Sequence, residues 1–240
     1  MTDVKQDDAT PKPADDRGLR NFLMRVLTAL VLIPVALGVA YAGGWLWAGL
    51  VTLVSVGLFI EWRTIVGAQR TGWIVLGVVY AAVALAASVM VRLDPVWGFS
   101  ALIFVLLIVW VTDIGGYFAG RGIGGPKLWP RVSPKKTWAG AIGGLVLSLG
   151  VAAGFASYGI GRLVPLLVLA TVLSVVSQLG DLFESAVKRR FGVKDSGHII
   201  PGHGGLLDRL DGYVFAVIAA ALLGLLRGGA DGVGHGLMVW

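Results

Sequence analysis

Seven long apolar stretches, joined by short polar segments, constrain this 240-residue chain more than any other feature. They run over Phe22–Ala42, Trp45–Trp62, Trp73–Val91, Gly98–Phe118, Trp138–Tyr158, Leu163–Phe183 and Tyr213–Leu226. Roughly 20 mostly apolar residues in a helix cross the hydrocarbon layer of a bilayer. The expected fold is therefore all-α: a polytopic integral membrane helix bundle of about seven transmembrane helices, with the longer polar loops on the cytoplasmic side. The last stretch is short and the second follows only Gly43-Gly44, so these two boundaries are the least defined. Composition agrees: 14% of residues are charged, against about 25% in a soluble domain. Trp and Tyr stand near many proposed ends (Tyr41, Trp45, Trp62, Trp73, Trp97, Trp138, Tyr158, Tyr213), as an interfacial aromatic belt would.

Residues 1–20, rich in Asp, Lys and Pro, read as a disordered cytoplasmic tail, and residues 21–240 as a single transmembrane catalytic domain. The tail has no apolar run followed by a small-residue cleavage site, so no removable signal peptide is expected. The absence of cysteine excludes disulfides, thiolate nucleophiles and thiolate metal sites. Of the 20 Lys and Arg residues, 17 fall in the tail and on one set of loop ends, and Arg92, Arg162 and Arg227 fall on the other. Cytoplasmic loops carry such an excess, which places the basic side in the cytoplasm of a bacterial-type plasma membrane. The net charge of +6 lies in short loops between apolar spans. Anionic lipid head groups and nucleotide phosphates are thus the expected partners, and nucleic acid is not.

A carboxylate at membrane depth is costly and rarely kept without a role. Asp113 lies within an apolar span beside Gly115-Gly116, where a structural hydrogen bond and a site role are equally open. Glu61, at a span end, reads as an ion-pair partner of Arg63. Asp181, Glu184 and Ser185 share one helix face, and Lys188 continues it one turn later. Glu184 reads as an i,i+4 partner of Lys188. Asp181 and Asp208 bracket the polar segment Ser185–Asp211 and suit Mg²⁺, which takes one or two carboxylates plus substrate phosphates. Asp211 could join them or orient Arg209.

Within that segment Lys188, Arg189 and Lys194 can hold phosphate oxygens. The turn holding His203, Gly204 and Gly205 can present backbone N–H groups to phosphate. A second basic loop, Ser133-Pro134-Lys135-Lys136-Thr137, offers Lys135 and Lys136 as a second phosphate clamp. The alternative for those lysines is topology setting alone.

The segment from Ser185 through Lys188-Arg189, Lys194-Asp195, Pro201, His203-Gly204-Gly205 and Asp208-Arg209 to Asp211 resembles the signature of the phosphatidate cytidylyltransferase family. Thr112–Arg121, Ser133–Gly140 and Ser177–Ser185 are also similar to family segments. Family members often carry Glu where this chain has Ala139, so no role of that Glu is carried over. The resemblance implies that CTP and phosphatidate react to CDP-diacylglycerol and pyrophosphate with Mg²⁺. It implies catalytic roles for Asp181, Lys188, Arg189, Asp208 and Asp211, and substrate contacts by Asp113, Lys135, Lys136, Ser185, Lys194, His203, Gly204, Gly205 and Arg209. It is also compatible with a homodimer. The alternatives are a CTP-dependent lipid kinase, a related CDP-lipid synthase, or a small membrane transporter; the last predicts two matching halves, and none is visible.

Overall fold

The computed structural model describes residues 16–197, 199–200 and 204–240. The chain runs α1 (Asp16–Ala42), α2 (Gly44–Val66), α3 (Thr71–Leu93), α4 (Gly98–Gly122), β1 (Lys127–Trp129), β2 (Ser133–Thr137), α5 (Trp138–Ser157), α6 (Leu163–Arg190), α7 (Leu207–Gly228) and α8 (Val233–Met238). Among the described residues, α2 to α7 are long and apolar enough to cross a membrane, and α1 adds a shorter apolar run, Val26–Ala42. Each of the seven expected stretches is thus a helix. The protein is an all-α integral membrane bundle. The tail expected over residues 1–20 lies mostly outside the described residues, and Asp16 to Arg20 form the first turn of α1.

Helix α4 is the central element. Ala101, Leu102, Phe104, Val105 and Ile108 on it are fully buried, and α3, α5, α6, α7 and α8 all pack on it. The outer helices keep apolar faces exposed, among them Leu30, Leu53, Val79, Val146 and Val168. Helices that are hydrophobic all round suit a lipid solvent. A close seam joins α4 to α5. A Cβ on Gly115 would stand 2.8 Å from the Gly143 carbonyl oxygen, so no larger residue fits there without moving the helices apart.

Several helices outrun the apolar stretches that announce them. Helix α6 continues seven residues beyond Phe183 to Arg190, and α7 begins six residues before Tyr213 at Leu207. These polar extensions carry the acidic and basic residues of Asp181–Asp211 on rigid helix ends. The loop between α4 and α5 is more ordered than a topology-setting loop needs to be. It forms an antiparallel hairpin in which Lys127 faces Thr137 and Trp129 faces Ser133. Pro134 disfavours helix at Ser133 and keeps the strand extended. Thr137 then caps α5, its Oγ1 accepting from Gly140 N at 3.1 Å.

The α2–α3 turn, the hairpin and the α6–α7 loop share one end of the bundle. Arg70 sits 4.7 Å over the Phe191 ring and Arg190 5.5 Å over that of Trp73. Below them Trp62 stacks against Tyr80 and Phe183, tying α2, α3 and α6 together. At the opposite end α8, a glycine-containing segment with no apolar run of its own, packs on α3, α4 and α7.

Candidate active site

The basic end holds a cavity of about 630 Å³ between α4, the hairpin, α5 and α6. Asp113 and Asp181 line it together with Arg121, Lys127, Lys135 and Lys136. The floor is polar: Thr112 donates to Ser174 Oγ at 2.9 Å, linking α4 to α6 beneath the two carboxylates. Asp113, left open between a structural and a site role, faces this cavity rather than a helix interior. Lys136 forms an ion pair with Asp181, and Ser185 Oγ donates to Asp181 Oδ1 at 3.4 Å. The second basic loop therefore converges on the polar end of α6, which no spacing in the sequence required. Lys135 stays exposed at the cavity mouth.

A second cluster lies between α6, α7 and α2. Lys188 Nζ is held 2.6 Å from Asp208 Oδ1 and 3.0 Å from Glu184 Oε2, in a nearly buried pocket. The expected i,i+4 pairing of Glu184 with Lys188 is present. Glu184 Oε1 is buried and receives no N–H from the described residues, while the Glu184 carboxyl lies within hydrogen-bonding reach of that of Asp211. Asp211, one turn along α7 from Asp208, lies within electrostatic range of Asp181 and Glu184. Asp181 thus neighbours both Asp113 and Asp211, and Glu184 neighbours both Asp211 and Asp208, with Lys136 on Asp181 and Lys188 on Glu184 and Asp208.

Asp181 and Asp208, expected to share a cation, are each held by a different lysine in this arrangement. Asp208 also accepts from Ser196 N at 3.0 Å. Arg189, expected at phosphate oxygens, is exposed and donates to the Val193 carbonyl at 3.1 Å, closing the end of α6. Lys194 and Arg209 are exposed at the same end. Gly204 takes a positive φ of 87°, and its carbonyl accepts from Ile200 N at 3.1 Å. Gly205 is packed tightly: a Cβ there would stand 2.8 Å from Asp208 Oδ2. His203 lies outside the described residues.

Glu61 corrects a sequence expectation. It does not pair with Arg63. It is 2% exposed and accepts from Leu206 N at 3.0 Å, from Leu207 N at 2.7 Å and from Ser196 Oγ at 3.0 Å. The first N–H groups of a helix have no partner within it. Leu206 has no side chain that could cap α7; the Leu206 and Leu207 N–H groups are satisfied from α2 and that of Asp208 by Ser196 Oγ. A Glu in the last turns of an apolar helix was the only hint in the sequence; its donors lie 135 to 146 residues away.

The sequence pattern of the cytidylyltransferase family matches residues 67–226. The chain belongs to the cytidylyltransferase family. It is 44% identical over 205 residues to the phosphatidate cytidylyltransferase of Brucella suis, covering 84% of this chain and 71% of that one. It is 32% identical over 229 residues to that of Rickettsia bellii, covering 90% and 94%. With that of Bacillus subtilis it shares 40% identity over 153 residues. The family match takes in both halves of the site, from Asp113 to Asp211, and begins six residues beyond Glu61.

Proposed function

We propose that this cytidylyltransferase transfers the cytidylyl group of CTP to phosphatidate, making CDP-diacylglycerol and pyrophosphate for phospholipid synthesis. A phosphate oxygen of the lipid attacks the α-phosphorus of CTP. One P–O bond forms, the bond to the β-phosphate bridge breaks, and pyrophosphate leaves with the electron pair. The observation that carries the reading is the cavity at the polar ends of spanning helices, lined by Asp113, Asp181, Lys135 and Lys136. A lipid phosphate can enter such a site from the leaflet while a nucleotide arrives from water. The excess of Lys and Arg at this end supports a cytoplasmic orientation.

The attacking oxygen is already ionised, so no strong base is needed. What the residues must supply is charge neutralisation at phosphorus and at the leaving group. Lys135 and Lys136 serve the lipid phosphate or pyrophosphate from the hairpin. Lys188 and Arg189 serve the CTP phosphates from the end of α6, and Lys188 also keeps Asp208 and Glu184 in place. Among the described residues no group of three or more carboxylates or histidines is arranged to hold a metal ion, so a divalent cation would rely on one or two carboxylates together with the substrate phosphates. Asp181 and Asp208 are each paired with a lysine, and the cavity sets Arg121, Lys127, Lys135 and Lys136 against Asp113 and Asp181. Asp181 and Asp208 would hold Mg²⁺, with Asp211 beside them; bound there, it would neutralise phosphate charge as a Lewis acid.

The test is turnover by purified protein in detergent given labelled CTP, phosphatidate and Mg²⁺. CDP-lipid is the expected product. A phosphorylated acceptor with CDP would mark a lipid kinase instead, and no turnover would favour a transporter.

A further inference from the structure

We propose that Glu61 is a positioning residue for this transfer, acting through Ser196 and the first turn of α7 on Asp208 and Lys188. The inference rests on the functional reading above and extends it to a helix that the family match leaves out. Glu61 is a buried carboxylate with no lysine or arginine partner among the described residues. Its charge is instead met by donors alone. Oε1 accepts from Leu206 N, and Oε2 from Leu207 N and Ser196 Oγ. The partial positive charge of a helix N-terminus favours an anion at this point.

The clasp reaches Asp208 by two routes. One is covalent, since Leu206 and Leu207 immediately precede it. The other is a reciprocal pair: Ser196 N donates to Asp208 Oδ2 at 3.0 Å, and Asp208 N donates to Ser196 Oγ at 3.3 Å. The Ser196 O–H donates a hydrogen bond to Glu61, which leaves the Oγ lone pairs free to accept from the Asp208 N–H. Asp208 in turn holds Lys188. Among the described residues the clasp is tightly packed. A Cβ on Gly197 would lie 2.7 Å from Glu61 Oε1, and one on Gly205 would lie 2.9 Å from Gly197 N. A displacement of the Glu61 carboxylate therefore passes to the start of α7 instead of being absorbed.

An ionised carboxylate accepts at both oxygens, whereas a carboxamide of nearly the same shape offers N–H donors on one side. Glu61→Gln thus sets donor against donor with little change in volume. The experiment compares Glu61→Gln, Ser196→Ala and the double variant in the full chain. It measures kcat for CDP-lipid formation per folded molecule and amide exchange over 204–210. Glu61→Gln is expected to lower kcat at least about tenfold, worth roughly 1.4 kcal/mol of barrier, and to speed exchange at the start of α7. The double variant is expected to be no worse than Glu61→Gln alone, since residues in one network do not add.

Parental kcat in Glu61→Gln overturns the proposal. So does a double variant whose losses multiply, or faster exchange throughout the bundle with kcat per folded molecule unchanged. Ser196→Ala, the milder change, keeps the test open should Glu61→Gln fold poorly: unaltered kcat and unaltered exchange there overturn the relay. If the parent itself makes no CDP-lipid, the functional reading fails instead, and the exchange data alone still decide whether Glu61 holds α7.

Discussion

At the α3–α4 end of the bundle, ionised side chains meet main-chain groups. Arg92 donates to the carbonyls of Ala40 at 2.6 Å and Tyr41 at 2.9 Å, fastening α3 to the end of α1. Asp94 accepts from Val96 N at 2.9 Å, Trp97 N at 2.8 Å and His235 N at 2.7 Å. Arg227 closes α8 through the carbonyls of Gly236 and Val239 and lies over the Trp240 ring. At the opposite end, ionised side chains meet each other. Lys136 pairs with Asp181, and Lys188 with Glu184 and Asp208, while Arg121, Lys127 and Lys135 line the cavity with no carboxylate partner among the described residues. A charge matched to backbone groups finishes a fold. An excess of one sign beside a polar cavity stores affinity for something the chain does not contain. Glu61 belongs to the first kind although it sits at the second end, which is why its role is to position.

This contrast predicts graded consequences. The largest outside Asp208 is expected for Lys188→Ala, which strands two carboxylates in a mostly buried pocket. kcat should fall at least about tenfold, and stability should drop by about 3–5 kcal/mol, the range for breaking a buried pair. Turnover with thermal unfolding in detergent checks both. Parental values for both would show that the pocket tolerates its carboxylates unpaired.

Lys135→Ala should act more gently, because the side chain is exposed at the cavity mouth. It should raise the apparent KM for phosphatidate more than that for CTP, as loss of uniform binding does. Unchanged constants would reduce Lys135 to a topology signal.

The smallest effect concerns pH at the other end. Burial pushes the Asp94 carboxyl up, but the N–H groups of Trp97, His235 and Val96 outweigh it and hold it below the ordinary 3.8. Its stabilisation is complete above the ordinary value and is lost as pH falls through the lower folded one. The difference in unfolding temperature between parent and Asp94→Asn should therefore be constant near neutrality and vanish in strong acid. A difference that grew on acidification would contradict the sign.

Much of the fold was legible because hydropathy and length decide whether a segment spans a membrane, and all seven apolar stretches became helices. Helix ends were less legible. The last turns of α6 are polar, so hydropathy stops at Phe183 while backbone hydrogen bonding continues to Arg190. The local part of the site, Glu184 with Lys188, followed from helical spacing. The pairings of Lys136 with Asp181 and of Glu61 with Ser196 join segments 45 and 135 residues apart, and no periodicity connects them. The hairpin was hidden because its strands, Lys127–Trp129 and Ser133–Thr137, are too short and polar to show an alternating apolar pattern.

The central claim, that one end of the bundle does chemistry and the other holds the fold, is tested most directly by matched Asp→Asn changes. Asp208→Asn and Asp94→Asn remove one charge each, and both carboxylates accept backbone donors. With turnover and unfolding temperature measured on both, Asp208→Asn is predicted to abolish CDP-lipid formation. Asp94→Asn is predicted to lower stability by about 1–3 kcal/mol, the cost of spoiling a buried hydrogen-bonded group, with kcat per folded molecule at the parental value. Near-normal turnover in Asp208→Asn, or an equal loss of kcat in Asp94→Asn, would contradict the division.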